Sequence, residues 1–136
     1  MPPTPAIAIH LCAATGALLL GPWVIWARRA ARQRPQLHRA LGYAWVTLML
    51  LAAGSALFIR SHTLPNIAGF GPIHLLVPVT LTSLLIAFRH LARGNLRGHR
   101  LTMTWLYLTA CVVAGVFTLL PNRYLGGLLW GGLGLI

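Results

Sequence analysis

The chain has 136 residues, of which 57% are hydrophobic and 8% are charged, and its mean hydropathy is +0.75. A soluble domain of this size needs more polar surface, so the composition predicts one integral membrane domain over residues 1–136. All 11 basic residues are arginine, and the absence of aspartate and glutamate excludes carboxylate acid/base pairs, Ser-His-Asp triads and hard-cation cages.

Apolar stretches predict an all-α, up-down four-helix membrane bundle with a short apolar tail. The first stretch has no arginine before it and several after it, which favours an uncleaved span over a signal peptide. The fourth opens at His99-Arg100, continues without charge and stops at Pro121, which at ~1.5 Å per residue crosses a bilayer core. The tail is too short to cross, so we expect it at the outer interface, partway into the membrane or against a partner. The predicted spans are about 5–27, 38–59, 71–92 and 101–120, and the tail is 124–136.

The distribution of arginine predicts the orientation. The first and third loops contain most of the arginines, whereas the middle loop contains only Arg60. By the positive-inside rule, those two loops face the cytoplasm and both termini lie outside. The sequence therefore predicts a multi-pass protein of a bacterial inner membrane, and the basic charge is assigned to topology and lipid headgroups, not to nucleic acid.

Four of the six histidines lie in the first turns of a predicted span. Spans one and three start outside, so His10 and His74 share the outer level, and by the same argument His38 and His99 share the inner level. In an up-down bundle, spans one and three are diagonal, and so are spans two and four. Two diagonal imidazole pairs, one in each leaflet, are the arrangement that two bis-histidine haems b require.

Other residues fit such sites. Arg39 and Arg100 follow the inner pair and could bind haem propionates. Gly21, near the inner level, leaves room for a macrocycle edge, although small residues also serve helix packing. Met103 is interpreted as core packing, with thioether ligation left open, and Tyr107 as a belt or packing residue.

Several segments resemble a known family. His38-Arg-Ala-Leu-Gly-Tyr, Gly71-Pro-Ile-His-Leu-Leu, His99-Arg-Leu-Thr-Met and Ala114-Gly-Val-Phe-Thr-Leu-Leu-Pro, together with His10, look like the predicted bacterial membrane proteins catalogued as domain of unknown function 2306. The resemblance covers about residues 7–125 and implies a four-helix membrane protein without a stated activity. A looser similarity of arrangement is to b561-type transmembrane cytochromes b, which pair histidines across helices at two levels.

The leading hypothesis is a haem b protein that transfers electrons across the membrane, with quinone or quinol and a redox protein as candidate partners. The alternative is a non-catalytic subunit or scaffold, since a histidine at a helix start is more often an interface or capping residue. Such a chain could form a homo-oligomer or join a larger membrane complex through its tail. A small transporter ranks lower, because proton-coupled carriers usually use intramembrane carboxylates.

Overall fold

The computed structural model describes residues 3–29, 34–60 and 67–136. These residues are mainly helical and contain no strand, apart from an isolated bridge between Ile67 and Phe70. The predicted all-α fold class is therefore confirmed for the described part of the chain. In order, the elements are α1 (Pro5–Arg29), α2 (Pro35–Ala56), a 3-10 turn (Pro72–Leu75), α3 (Leu76–Ala92), α4 (Leu96–Leu106), a π-helical segment (Tyr107–Val113), α5 (Ala114–Thr118) and α6 (Tyr124–Gly132).

Proline explains where two helices begin. Pro35 opens α2 three residues before the predicted start, because a proline in the first turn is pre-organised and forfeits no helical hydrogen bond. The predicted third span is interrupted, since the α-helix begins only at Leu76. Pro78 cannot donate to the carbonyl of His74 and would clash with it, so the regular helix cannot extend back through that turn.

An asparagine cap sets the start of the fourth helix. Asn95 Oδ1 accepts a hydrogen bond from the backbone N–H of Gly98 at 2.9 Å. This N-cap satisfies an amide that has no partner within the helix, so α4 begins at Leu96, before the predicted start at Leu101. The helical path continues through the π-helical segment and α5 to Thr118.

The helices pack as two close pairs, α1 with α2 and α3 with α4. Smaller interfaces join α2 to α3, and α1 to the π-helical segment that continues α4. With these neighbours, α2 and α4 lie on opposite sides of the group of four helices. The helices α1 and α2 are antiparallel: His10, early in α1, bonds to Ala52, late in α2, whereas Ala17, later in α1, bonds to Trp45, earlier in α2. The finer prediction, an up-down bundle of four spans across a membrane, stays a prediction.

Small residues form much of the interior, while large apolar side chains point outward. The exposed fraction is 61% for Trp23, 78% for Phe58 and 69% for Leu85. Such a surface suits a lipid environment, where small residues let helix backbones approach. Among the described residues, two helical stretches are long and apolar enough to cross a membrane, Pro5–Arg28 and Leu96–Thr118. The buried alanines are Ala13, Ala17, Ala27, Ala52, Ala53 and Ala87.

A proline inside α1 ties that helix to the π-helical segment. Pro22 has no N–H, so the carbonyl of Leu18 loses its helical partner. The hydroxyl of Tyr107 donates to that carbonyl at 2.9 Å. Gly21 makes this approach possible, because a Cβ there would overlap the tyrosine ring. The Tyr107 contact thus replaces the missing helical bond.

Candidate functional site: a basic cavity between α2 and α4

A cavity of about 660 Å³ opens at the end of the protein where α2 and α4 begin. Its walls come from the four longest helical elements and combine apolar side chains with basic ones. That volume lies within the ~300–1,000 Å³ typical of small-molecule and cofactor sites. The apolar and aromatic part of the lining includes Val24, Ile25, Trp45, Val46, Phe88, Leu91, Met103 and Tyr107.

The cavity brings together the two histidines predicted for the inner level. His38 enters from α2 and His99 from α4, which lie on opposite sides of the group. The Nδ1 atom of His99 lies 3.0 Å from the carbonyl oxygen of Ala87. Because a carbonyl only accepts, Nδ1 carries the proton and Nε2 keeps its lone pair. This is the tautomer of a histidine that ligates metal through Nε2.

The second imidazole has an unpaired nitrogen. Nδ1 of His38 is buried and has no hydrogen-bond partner among the described residues. The ring lies against the backbone of Val24 and within electrostatic range of His99, Arg100 and Arg28. Buried polar atoms are nearly always paired, so this nitrogen can accept a partner that the described residues do not supply.

The charge of the cavity is entirely positive. Arg28, Arg39 and Arg100 line it together with the two imidazoles. The sequence contains no aspartate or glutamate that could neutralise these guanidinium groups. Arg39 and Arg100 are exposed and Arg28 is half-buried, so their guanidinium groups are accessible to an anion that enters the cavity. The lining therefore favours a ligand with an apolar body and anionic substituents.

The outer histidines are engaged elsewhere, and neither lines this cavity. Nδ1 of His10 lies 2.8 Å from the carbonyl oxygen of Ala52 and 3.4 Å from Ser55 Oγ. In His74, Nδ1 accepts from the Gly71 N–H at 3.1 Å, so Nε2 carries the proton and donates to the Ile59 carbonyl at 2.7 Å. Both ring nitrogens of His74 are thus occupied. Ligation of a haem by His10 and His74 stays a prediction.

Three lining residues were not among the predicted site residues. Arg28 was assigned only to topology, although it lies at the end of α1 that borders the cavity. Met103 was interpreted as core packing with thioether ligation left open, Tyr107 as a belt or packing residue, and both line the cavity. The Gly21-Pro22 pair could have predicted a contact with a side chain such as Tyr107. Gly21 leaves space for a ring against α1, and Pro22 leaves the carbonyl one turn earlier without its helical partner.

A conventional metal cluster is absent from the described residues, where no three histidine, cysteine or acidic side chains come together. A bis-imidazole haem depends instead on two axial nitrogens and on the surroundings of the macrocycle. Whether a haem suits this cavity therefore depends on the two imidazoles, the unpaired nitrogen and the basic lining.

The comparisons with known proteins show the family and nothing finer. No curated protein and no solved structure matches the chain. The similarity of arrangement to b561-type cytochromes thus has no match to support it. The family described as predicted membrane protein (DUF2306) matches residues 7–126, from α1 into α6. The chain therefore belongs to the DUF2306 family of predicted membrane proteins.

Proposed function

We propose that this membrane protein binds haem b in the basic cavity, with His38 and His99 as axial ligands, and transfers electrons across a bacterial inner membrane. The observation that carries the proposal is the meeting of these two imidazoles in one cavity of about 660 Å³ lined by three arginines. The haem supplies one-electron chemistry when bound, and the protein sets its ligation, burial and charge.

Each imidazole has a feature that suits axial ligation. His99 presents an unprotonated Nε2 because its Nδ1 donates to Ala87. That hydrogen bond fixes the ring orientation and raises the basicity of the ligating nitrogen. His38 carries the unpaired buried nitrogen, so binding a ligand there relieves an existing cost.

The arginines have a separate role. Arg39 and Arg100 follow the two histidines in sequence and line the same cavity, so they can pair with propionates without ligating iron. Their positive charge opposes the oxidised, more positive state of the iron. Neutralising either one should therefore lower the reduction potential and leave ligation in place.

The wider proposal keeps the predicted topology. Four spans with both termini outside would place the basic cavity at the cytoplasmic side, consistent with its arginines. A second haem at His10 and His74 would extend the electron path to the outer side, which requires His74 to release a hydrogen bond to Gly71 or Ile59. Quinol or a redox protein is the proposed exchange partner.

The test is a dithionite-reduced spectrum and a pyridine haem assay on full-length protein purified from haem-replete cells. We expect His38→Ala and His99→Ala to lose the same α-band component, because each removes one ligand of the same iron. His90→Ala is the matched control, since His90 lies near the same end of the protein but does not line the cavity. Arg39→Gln and Arg100→Gln should retain the band and lower its midpoint potential.

Two results would contradict the proposal. A colourless, well-folded preparation would remove the cytochrome function and leave the scaffold alternative. Equal loss of haem in His38→Ala and His90→Ala would show that the spectrum reports general folding and not ligation. Loss of a separate component in His10→Ala and His74→Ala would support the second haem.

A further inference from the structure

A second basic pocket lies on the face of α3 that is opposite the basic cavity. It has a volume of about 200 Å³ and is lined by Ile86, Arg89, His90 and Arg93. Arg89 and Arg93 are four residues apart on one helix face, where like charges repel each other. Neither guanidinium has a hydrogen-bond partner among the described residues, and the sequence offers no carboxylate to neutralise them.

The proton position of His90 follows from its neighbours. The Gly98 N–H can only donate, so the Asn95 atom at 2.9 Å from it is the oxygen Oδ1. The amide nitrogen Nδ2 is then the atom that lies 3.2 Å from His90 Nδ1 and donates to it. In neutral His90 the proton is therefore on Nε2. The two guanidinium groups and His90 Nε2 are thus hydrogen-bond donors, while His90 Nδ1 is already paired with Asn95.

The surroundings of the pocket favour a lipid over a free ion. Ile86 forms its apolar wall and is 44% exposed, and Leu85 beside it is 69% exposed. These side chains lie one turn from Arg89 toward the middle of α3, where acyl chains would run if α3 spans a membrane. The arginines lie at the helix end, at the level of headgroup phosphates.

We propose that Arg89, His90 and Arg93 form a binding site for the phosphate group of an anionic phospholipid, whose acyl chains pack along the Ile86 face of α3. The phosphate oxygens accept from the two guanidinium groups and from His90 Nε2–H, which relieves the repulsion between the arginines. The site is independent of haem binding, because none of these three side chains lines the basic cavity.

The test is native mass spectrometry of the full-length protein, titrated separately with phosphatidylglycerol and phosphatidylcholine. Each basic side chain near an anionic headgroup contributes a factor of about 5 in affinity, so the Arg89→Gln/Arg93→Gln double variant should bind phosphatidylglycerol about 25-fold more weakly. Its affinity for phosphatidylcholine should stay within about twofold, since the net charge of that headgroup is zero.

Arg97→Gln is the matched control, because Arg97 is an exposed arginine of the same region that lines neither pocket. It should change phosphatidylglycerol affinity less than Arg89→Gln does. Equal losses in the two single variants would overturn the proposal, since they would indicate diffuse attraction to the basic loop. Complete displacement of the lipid by inorganic phosphate would also overturn it, by assigning the pocket to a free oxyanion.

Discussion

Replacing Gly21 with alanine should destabilise the protein through a single side chain, Tyr107. The added methyl group would overlap the tyrosine ring, with Cδ2 at 2.5 Å and Cζ at 2.9 Å from the new Cβ. The ring must therefore move. When it moves, its hydroxyl leaves the carbonyl of Leu18, which Pro22 has already deprived of its helical partner.

The magnitude follows from three opposing contributions. An acceptor left unpaired in an apolar environment costs about 1–3 kcal/mol, and forced overpacking costs about 1–3 kcal/mol. Alanine recovers at most about 1 kcal/mol over glycine in a helix interior. The free energy of unfolding should therefore fall by about 3 kcal/mol, which for a chain of this length corresponds to a decrease of about 10 °C in Tm.

The assay is thermal unfolding of purified protein in one detergent, followed by intrinsic tryptophan fluorescence. Gly54→Ala is the matched control, since Gly54 lies in α2 and a Cβ there meets nothing within 4 Å. That variant should be neutral or more stable by up to about 1 kcal/mol. Tyr107→Phe, which removes only the hydroxyl, should lower the free energy of unfolding by about 1–3 kcal/mol.

A double-mutant cycle decides whether the tyrosine is the cause. In a Tyr107→Ala background the ring is absent and the Leu18 carbonyl is already unpaired, so Gly21→Ala should cost nothing further. The coupling free energy between the two positions should then be about 3 kcal/mol, at the upper end for residues in contact. An equal loss of Tm from Gly21→Ala in both backgrounds would refute the reasoning and point to the backbone of α1 itself.

Substitutions at three further sites test local features by thermal unfolding. Ala68 has φ 55°, a left-handed conformation that asparagine tolerates better than alanine. Ala68→Asn should therefore raise the free energy of unfolding by about 0.5–1 kcal/mol. An unchanged free energy would mean that the turn is unstrained. Asn95→Ala should lower it by about 1 kcal/mol through loss of the α4 cap, whereas Asn95→Asp should retain most of the stability. Trp45→Phe, followed by circular dichroism, should cost about 1 kcal/mol, because it removes the indole hydrogen bond of 3.0 Å to Ala17; an unchanged Tm would show that this bond contributes little.

The level of a residue along its helix is easier to predict from sequence than its direction around the helix. Residue rise is uniform, so two histidines at the starts of helices that enter from the same side must lie at one end. The structure places His38 and His99 in one cavity, in keeping with that argument. The direction in which a side chain points around the helix axis, by contrast, changes with every irregularity in the helix before it. The π-helical segment that begins at Tyr107 was not predictable from apolar periodicity, and its first residue packs against Gly21 in a distant helix, a contact that spacing within one helix cannot reveal.

The outer level shows the limit of the same argument. His74 was predicted to lie inside a regular helix, but it belongs to the 3-10 turn, because Pro78 prevents α-helix at that point. Its ring then reaches Gly71 and Ile59, both outside the helix. Neither contact could be read from spacing, since each depends on how the chain approaches α3.

The two ends of the helix group, which were predicted to be outer and inner, satisfy their imidazoles in different ways. At the outer end, carbonyl oxygens of Ala52 and Ile59 accept from the rings, the latter from just beyond the end of α2. At the inner end, His99 Nδ1 donates to the Ala87 carbonyl and the His38 ring interacts with the backbone of Val24. Nδ1 of His38 has no partner among the described residues, and the arginines around the two rings can only donate. Because the sequence contains no aspartate or glutamate, no negatively charged side chain can offset the positive charge of these arginines. Under the proposed function, a cofactor with anionic substituents would offset that positive charge and fill the volume between His38 and His99.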